Sequence, residues 1–167
     1  TRIRDLAIVS LYLSSGMRSG ELCSLKMNNL DLVEQTVLIE ADDAKSDKKR
    51  LIDLFGNTIE YLGNYLTVRD TFNPLCEYIF ITLNGNPLDY KQIHYIIKKY
   101  MKECGIEGHT HTLRATYITQ MYDQTHDIKL VQEIVGHSKP TTTDGYIRRK
   151  ESSEERRKKT KCAFSNL

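Results

Sequence analysis

The chain is organised around His111-Thr112-Leu113-Arg114, which is followed by Gly136-His137-Ser138 and, nine residues after His137, by Tyr146. Two histidines, an arginine and a tyrosine are therefore spread over a stretch with helical patterning. Side chains of these types can be gathered around one phosphate group, because their N–H and O–H groups donate hydrogen bonds and arginine stays charged. Earlier in the chain, Arg18 and Lys45 add two cations to this set of candidates.

The composition is that of an ordinary globular domain. The 167 residues suit one compact domain, with 40% hydrophobic and 28% charged residues. A net charge of +2 does not by itself indicate a nucleic-acid-binding protein, because the positive charge would have to be concentrated on one face. The end of the chain is locally basic, and the simplest interpretation of this run is a solvated helix face. Its residues are Arg148, Arg149, Lys150, Arg156, Arg157, Lys158, Lys159 and Lys161.

The cysteines indicate neither disulfides nor a metal site. The chain has four cysteines, scattered and without a C-x-x-C pair, which suits free thiols in a reducing cytoplasm. Cys104 lies near His109 and His111 and invites a zinc assignment, but no fourth ligand is evident and structural zinc sites are usually closed four-ligand sets. On this ground we do not expect a zinc site.

The sequence carries no signal peptide and no apolar run near the roughly 18 residues of a membrane span. The longest β-type apolar run, Tyr78–Leu83, is far too short. We expect a cytoplasmic protein, in the bacterial cytoplasm or nucleoid. Because the chain begins at Thr1 and enters a helical pattern almost at once, we also expect it to be a fragment of a longer protein.

Hydrophobic periodicity predicts a mainly helical α+β fold. A change of period between residues 30 and 54 predicts a small antiparallel sheet from Val37–Ile39 and Leu51–Leu54, joined by an exposed hairpin at 44–50. A further short buried strand is predicted at Tyr78–Ile81. Thr110 is predicted to cap a helix that starts at His111. The other predicted helices span 3–14, about 18–26, 57–70, 89–103, 127–135 and 140–148.

The pair of Arg18 and Glu21 has two interpretations. The residues are three positions apart on a predicted helix, so their side chains share a face. One interpretation is an ordinary surface ion pair, which contributes little to stability. The other is a guanidinium held in place by a supporting carboxylate. Local sequence does not choose between them.

Four segments together resemble the motifs of one known family, the tyrosine recombinases of the lambda-integrase and Xer type. The resemblance covers residues 1–150 in the right order. Each motif alone is weak, but four in register form a specific pattern. The segments are Gly16-Met-Arg18-Ser-Gly-Glu21-Leu22, Lys45-Ser-Asp-Lys-Lys-Arg50-Leu-Ile-Asp-Leu54, His111-Thr-Leu-Arg114, and Val135-Gly136-His137-Ser138 with Thr142-Thr143 and Tyr146.

Two departures from the family pattern are small. Ala115 replaces the polar or histidine residue often seen after the second arginine, and Asp53 stands where proline is frequent. The resemblance implies that 1–150 is a catalytic domain and that 151–167 is a tail that could dock on a neighbouring protomer. A frayed terminus is the alternative for that tail. The family's N-terminal DNA-binding domain is expected to lie outside this fragment.

The resemblance implies a phosphotransfer mechanism that chemistry supports independently. Fixed cations stabilise the negative charge that develops on an attacked phosphodiester, and Arg18 and Arg114 suit this role. Tyr146 is the expected nucleophile, and it needs help to lose its proton at neutral pH. The expected base is His111. Glu21 is expected to support Arg18 from behind.

Two further roles complete the expected mechanism. His137 would donate a hydrogen bond to a phosphate oxygen, and Lys45 would protonate the departing 5′ oxygen. The family implies a 3′-phosphotyrosyl intermediate, which conserves the bond energy, so that neither ATP nor a metal is required and no cofactor is expected. The expected catalytic residues are Arg18, Lys45, His111, Arg114, His137 and Tyr146.

The family also implies partners and leaves alternatives. The expected partner is double-stranded DNA bound by a homotetramer, with accessory DNA-bending proteins as further candidates and a transposon or phage as the setting. One alternative is a DNA-relaxing enzyme of the type IB topoisomerase kind, which shares the same constellation of residues. Another is a non-catalytic DNA-binding module.

Overall fold

The computed structural model describes residues 2–41 and 49–136, and over this part of the chain it is mainly helical with one small sheet. Six α-helices and three strands follow one another in this described part, with a 3₁₀ turn between α2 and β1. The elements are α1 (Arg2–Ser15), α2 (Ser19–Ser24), the 3₁₀ turn (Met27–Asn29), β1 (Leu30–Asp31), β2 (Thr36–Ile39), β3 (Arg50–Asp53), α3 (Asn57–Asp70), α4 (Tyr90–Glu103), α5 (Thr110–Thr125) and α6 (Ile128–Val135).

The sheet is antiparallel with the strand order β1-β2-β3. Val37 pairs with Ile52 and Ile39 with Arg50, and alternate residues of β2 and β3 are buried. This alternation is typical of a sheet with one face on the core. The predicted mainly helical α+β fold with a small antiparallel sheet is confirmed. The segment 42–48, with most of the predicted hairpin and Lys45, lies outside the described residues.

Helices α3 and α4 form where their sequence signals predict them. The prediction for α3, residues 57–70, matches its observed bounds. Helix α4 starts one residue later than predicted, because Asp89 is its N-cap. The Asp89 carboxylate accepts from the Gln92 N–H at 2.8 Å, and the Gln92 amide oxygen accepts from the Asp89 N–H at 2.9 Å. This reciprocal capping box fixes the start of the helix.

The main core lies between α1, the sheet, α3 and α4, and a second, smaller cluster joins α5 to α6. In α1 the buried apolar residues are Ala7, Ile8, Leu11 and Tyr12, whereas Ile3 and Leu6 of the same helix are exposed. Tyr78–Ile81 is largely buried but makes only isolated bridges, so the predicted strand is wrong. The α5–α6 cluster consists of Ile118, Val131 and Val135.

Candidate active site

The turn between α1 and α2 sets the position of Arg18. Gly16 has a left-handed backbone with φ of 59°, and a Cβ there would overlap the ring of Tyr117. Only glycine fits both conditions. Arg18 then precedes α2 as its N-cap residue, with an extended backbone. The Arg18 side chain therefore extends from the junction between α1 and α2.

Glu21 holds Arg18 at two points. The Arg18 backbone N–H donates to Oε2 of Glu21 at 2.6 Å, and Nη1 of the guanidinium donates to Oε1 at 3.1 Å. The Glu21 side chain is only 10% exposed, against 27% for Arg18. This geometry is that of a guanidinium oriented by a carboxylate rather than of a solvated surface pair.

Arg114 lies deeper than Arg18 and joins two distant segments. It is 4% exposed and belongs to α5. Nη1 donates to the Gly16 carbonyl oxygen, and Nη2 donates to the Val135 carbonyl oxygen at 2.7 Å. These bonds fix the plane of the guanidinium, and they bring the α1–α2 turn next to the end of α6.

His111 stands in the first turn of α5, and its side chain is exposed. The N-cap of this helix is His109, whose Nδ1 accepts from the His111 N–H at 3.3 Å. The prediction that Thr110 caps the helix is wrong, because Thr110 is the first helical residue and is buried. His111 and Arg114 therefore lie near the start of the same helix. The His111 imidazole is exposed to solvent, and the Arg114 guanidinium is buried.

Arg50 is a further member of the site, although the sequence predicts it at the end of an exposed hairpin, 44–50. It begins β3 and is buried. Its Nη2 donates to Oε2 of Glu21 at 2.8 Å, and its Nε donates to the Ile134 carbonyl oxygen at 3.0 Å. The period-two pattern contained a signal, because Arg50 shares its strand face with the apolar Ile52.

Three arginines meet at the end of α6. The carbonyl oxygens of residues 134–136 accept, in order, from Arg50 at 3.0 Å, Arg114 at 2.7 Å and Arg18 at 3.5 Å. A helix C-terminus leaves its last carbonyls without intrahelical partners and carries partial negative charge, so guanidinium groups suit it. The end of the helix is thus anchored by residues from three other segments.

Charge at the site is strongly positive despite the buried carboxylate. Burial alone would raise the pKa of Glu21, but the hydrogen bond and charge of Arg50, helped by Arg18 and Arg114, hold that pKa below its ordinary value. Glu21 is therefore ionised and offsets one guanidinium of three. The remaining surplus can attract an anion, and phosphate matches the fork of donors that guanidinium presents.

The surroundings also act on His111. Partial burial of its ring, with the nearby His109 and Arg114, lowers the pKa of His111 below 6.5. The imidazole is therefore neutral at pH 7 and can accept a proton. Its ring lies 5.6 Å from that of His109, which lies 6.3 Å from that of His94. Over 2–41 and 49–136, no group of three histidine, cysteine or acidic side chains is arranged to hold a metal ion.

The structure brings together three of the residues selected from sequence, Arg18, Glu21 and Arg114, and puts His111 one helical turn from Arg114. Lys45, His137 and Tyr146 lie outside the described residues, as does the tail 151–167. Within the described part, no helix is both long enough and apolar enough to cross a membrane.

Residues 1–153 match the model of the phage integrase family. The chain is 33% identical over 146 residues to the tyrosine recombinase XerC of Actinobacillus pleuropneumoniae, covering 86% of this chain and 47% of that protein. It is 32% identical over 149 residues to a tyrosine recombinase of Agathobacter rectalis, with 86% and 47% covered. The chain thus spans about half the length of the curated relatives it matches.

Solved structures show the same fold. The crystal structure of XerA recombinase has a TM-score of 0.80 and 30% identity, with 92% of this chain and 58% of that chain covered. The XerH site-specific recombinase bound to palindromic difH substrate, in a post-cleavage complex, has a TM-score of 0.80 and 26% identity, with 93% and 45% covered. Each of these two matches covers more than nine tenths of this chain.

Proposed function

Because the chain belongs to the phage integrase family, we propose that it is the catalytic domain of a site-specific tyrosine recombinase that cuts and rejoins DNA strands. The observation that carries the proposal is the meeting of Arg18, Arg50 and Arg114 at the end of α6, with Glu21 between two of them. Such a fixed positive group suits a phosphodiester whose oxygens gain charge during attack.

Arg18 and Arg114 are the proposed phosphate-binding groups. Each guanidinium has five N–H donors and no acceptor, and the bonds to carbonyls and to Glu21 fix its orientation in advance. Donors that are already fixed do not have to reorganise as the charge develops. The half-buried position of Arg18 places it nearer the solvent side, from which DNA would approach.

Tyr146 is the proposed nucleophile and Lys45 the proposed acid. The phenol oxygen of Tyr146 attacks the scissile phosphorus, the bond from phosphorus to the 5′ oxygen breaks, and Lys45 gives a proton to that leaving oxygen. The phenol proton passes to His111, which is neutral at pH 7. His137 donates a hydrogen bond to a phosphate oxygen. The 3′-phosphotyrosyl bond is later attacked by a 5′ hydroxyl of another strand, which reverses these steps.

The proposed partner is double-stranded DNA, bound by a homotetramer for a mobile element in the bacterial cytoplasm or nucleoid, with accessory DNA-bending proteins as candidate helpers. Residues 1–150 would form the catalytic domain, and 151–167 would dock on a neighbouring protomer.

Deletion of 151–167 should then reduce cooperative assembly on DNA in a gel-shift titration. Unchanged cooperativity would contradict docking in trans.

A suicide DNA substrate tests the function directly. The chain is incubated with nicked DNA from the element's own ends, and products are separated on a denaturing gel. We expect a protein–DNA adduct that survives denaturation and maps to Tyr146. Tyr146→Phe should lose the adduct and keep DNA affinity, whereas Tyr95→Phe, at a tyrosine that is 70% exposed, should cleave normally.

The other outcomes separate the alternatives. Binding without an adduct on any substrate would indicate a non-catalytic module. An adduct on DNA of any sequence, with relaxation of supercoiled plasmid, would indicate the topoisomerase alternative. An adduct that persists in Tyr146→Phe would contradict the nucleophile assignment.

A further inference from the structure

Arg50 connects three segments that are far apart in sequence. It begins β3, five residues after Lys45, so it stands at the base of the segment that carries the proposed acid. Its guanidinium reaches Glu21 of α2, 29 positions away, and the Ile134 carbonyl of α6, 84 positions away. The last residues of α6 lead directly into His137.

Arg50 is buried and contacts two different helices, α2 and α6. Its side chain is 7% exposed, and Nη2 and Nε bind different partners on different elements. The same Oε2 atom of Glu21 that accepts from Arg50 also accepts from the Arg18 backbone N–H at 2.6 Å. One carboxylate oxygen of Glu21 therefore links Arg50 to Arg18.

Gly136 reflects how closely Arg50 approaches α6. A Cβ at Gly136 would lie 2.6 Å from Nη1 of Arg50 and 2.9 Å from its Cζ. Nη1 is buried and has no hydrogen-bond partner among the described residues. The guanidinium thus packs closely against Gly136, where any side chain would collide with it.

We propose that Arg50 is a positioning residue for the proposed cleavage reaction. It acts through Glu21 on the phosphate-binding Arg18, and through the α6 carbonyl on the start of the segment that carries His137. The inference rests on the proposed function, because it assigns Arg50 a part in that same site. Reacting groups must be held within a few tenths of an ångström, and a misplacement of about 1 Å can cost about 10²-fold in rate.

A purely structural role is the competing explanation, and Arg69 provides its control. Arg69 is also buried, at 4% exposed, and it also donates to backbone carbonyls, those of Cys76, Tyr78 and Ile79. All of these acceptors belong to one short segment, 76–79, and none of them is a residue of the arginine cluster. Loss of Arg69 should weaken folding without disturbing the site.

The test compares Arg50→Gln with Arg69→Gln in the chain as it exists. Wild-type adduct formation is scored first, so that absence of any adduct counts against the proposed function and not against Arg50 alone. Single-turnover cleavage is then measured at saturating protein, below the unfolding temperature of every variant, together with the DNA dissociation constant. We expect Arg50→Gln to slow cleavage about 30-fold with binding within about 3-fold of wild type, and Arg69→Gln to cleave at the wild-type rate.

Two further variants keep the outcome decisive. Arg50→Lys keeps the charge but offers one ammonium where two separate donors are needed, so it should cleave at a rate between wild type and Arg50→Gln. If Arg50→Gln does not fold, Arg50→Lys is compared with Arg69→Lys instead. Wild-type cleavage in the Arg50 variant that folds would overturn the proposal.

A double mutant shows whether Arg50 acts through Glu21. Residues that act through one contact are not additive, so Arg50→Gln/Glu21→Gln should cleave within about 3-fold of the slower single variant. A merely structural role would give rate losses that multiply. Multiplied losses would overturn the assignment of Arg50 as a positioning residue that works through Glu21.

Discussion

Two places in the molecule bury an arginine to the same extent, but they differ in what the arginine holds. Arg69 and Arg114 are each 4% exposed, and both donate to backbone carbonyls. The carbonyl acceptors of Arg69 lie within ten residues of it, in the single segment 76–79. Those of Arg114 are Gly16 and Val135, which are 98 and 21 positions away.

The difference separates support of a loop from assembly of a site. Arg69 supplies donors to a buried segment that forms only isolated bridges, so it replaces sheet hydrogen bonds that the segment lacks. Arg114 instead meets Arg18 and Arg50 around a single carboxylate, Glu21. Gathering like charges costs stability, and natural proteins accept such a cost mainly at functional sites.

The largest expected effect is that of Arg114→Gln set against Arg69→Gln. Both changes remove buried hydrogen bonds from a charged donor, so each should lower the free energy of unfolding by about 2–3 kcal/mol. Only Arg114→Gln removes a proposed phosphate ligand, and it should slow cleavage by about 10²–10³-fold. Urea unfolding and single-turnover cleavage measure the two effects. Equal cleavage rates in the two variants would show that Arg114, like Arg69, has only a structural role.

Gly136→Ala and Gly105→Ala separate backbone strain from disturbance of the arginines. Both glycines have left-handed φ, 65° and 70°, so alanine should cost about 1–2 kcal/mol at either position. Only at Gly136 would the new Cβ meet a neighbour, Nη1 of Arg50 at 2.6 Å, whereas nothing lies within 4 Å at Gly105. We expect about a tenfold slower cleavage for Gly136→Ala alone. Equal rates, measured on fully folded protein, would show that the helix end tolerates the displaced guanidinium.

The arginine cluster also influences a titrating neighbour, which provides a test by pH. Burial, His109 and Arg114 lower the pKa of His111 below 6.5, so the folded state binds fewer protons than the unfolded state. The free energy of unfolding is therefore unaffected by the protonation of His111 above pH 6.5 and decreases as pH falls below that value. The cleavage rate should stay constant down to pH 6.5 and fall at lower pH. The apparent pKa of this fall should lie below 6.5.

The control for this test lies at the other end of the same helix. His111→Asn should slow cleavage by about 10²-fold or more and remove the acid limb of the profile. His126→Asn, at the C-cap of α5, should leave the limb in place. An unchanged limb in His111→Asn would assign the titration to another group.

The smallest expected effect concerns a helical ion pair outside both regions. Lys99 and Glu103 are four positions apart, with Nζ and Oε1 separated by 4.0 Å and both side chains about half exposed. Glu103→Gln should change the free energy of unfolding by less than about 0.5 kcal/mol and leave cleavage unchanged. The thermal unfolding of Glu103→Gln is compared with that of Glu21→Gln, in which Arg50 stays buried beside a neutral partner. A comparable loss in both variants would mean that the Arg18–Glu21 pair is an ordinary surface pair.

Local patterns predicted regular elements well and inward-facing polar residues poorly. The predicted bounds of helix α3 match those observed because a helical period is sustained over residues 57–70. Arg50 was assigned to an exposed hairpin because charge favours solvent, although the alternation of β3 points it inward. The burial of an arginine depends on acceptors supplied by other segments, here Glu21 and Ile134, which no local window contains.

Sequence alone determined the order and spacing of the motifs, the helical periods and the resemblance that identified the family. These follow from covalent order and from local backbone and side-chain preferences, which a single chain displays directly. Tertiary structure decided that Glu21 is a buried clamp and not a surface partner, and that Arg50 joins the cluster. Those outcomes depend on which carbonyls and charges meet in space, and the contacts that decide them span 29 positions for Arg50 and Glu21 and 84 for Arg50 and Ile134.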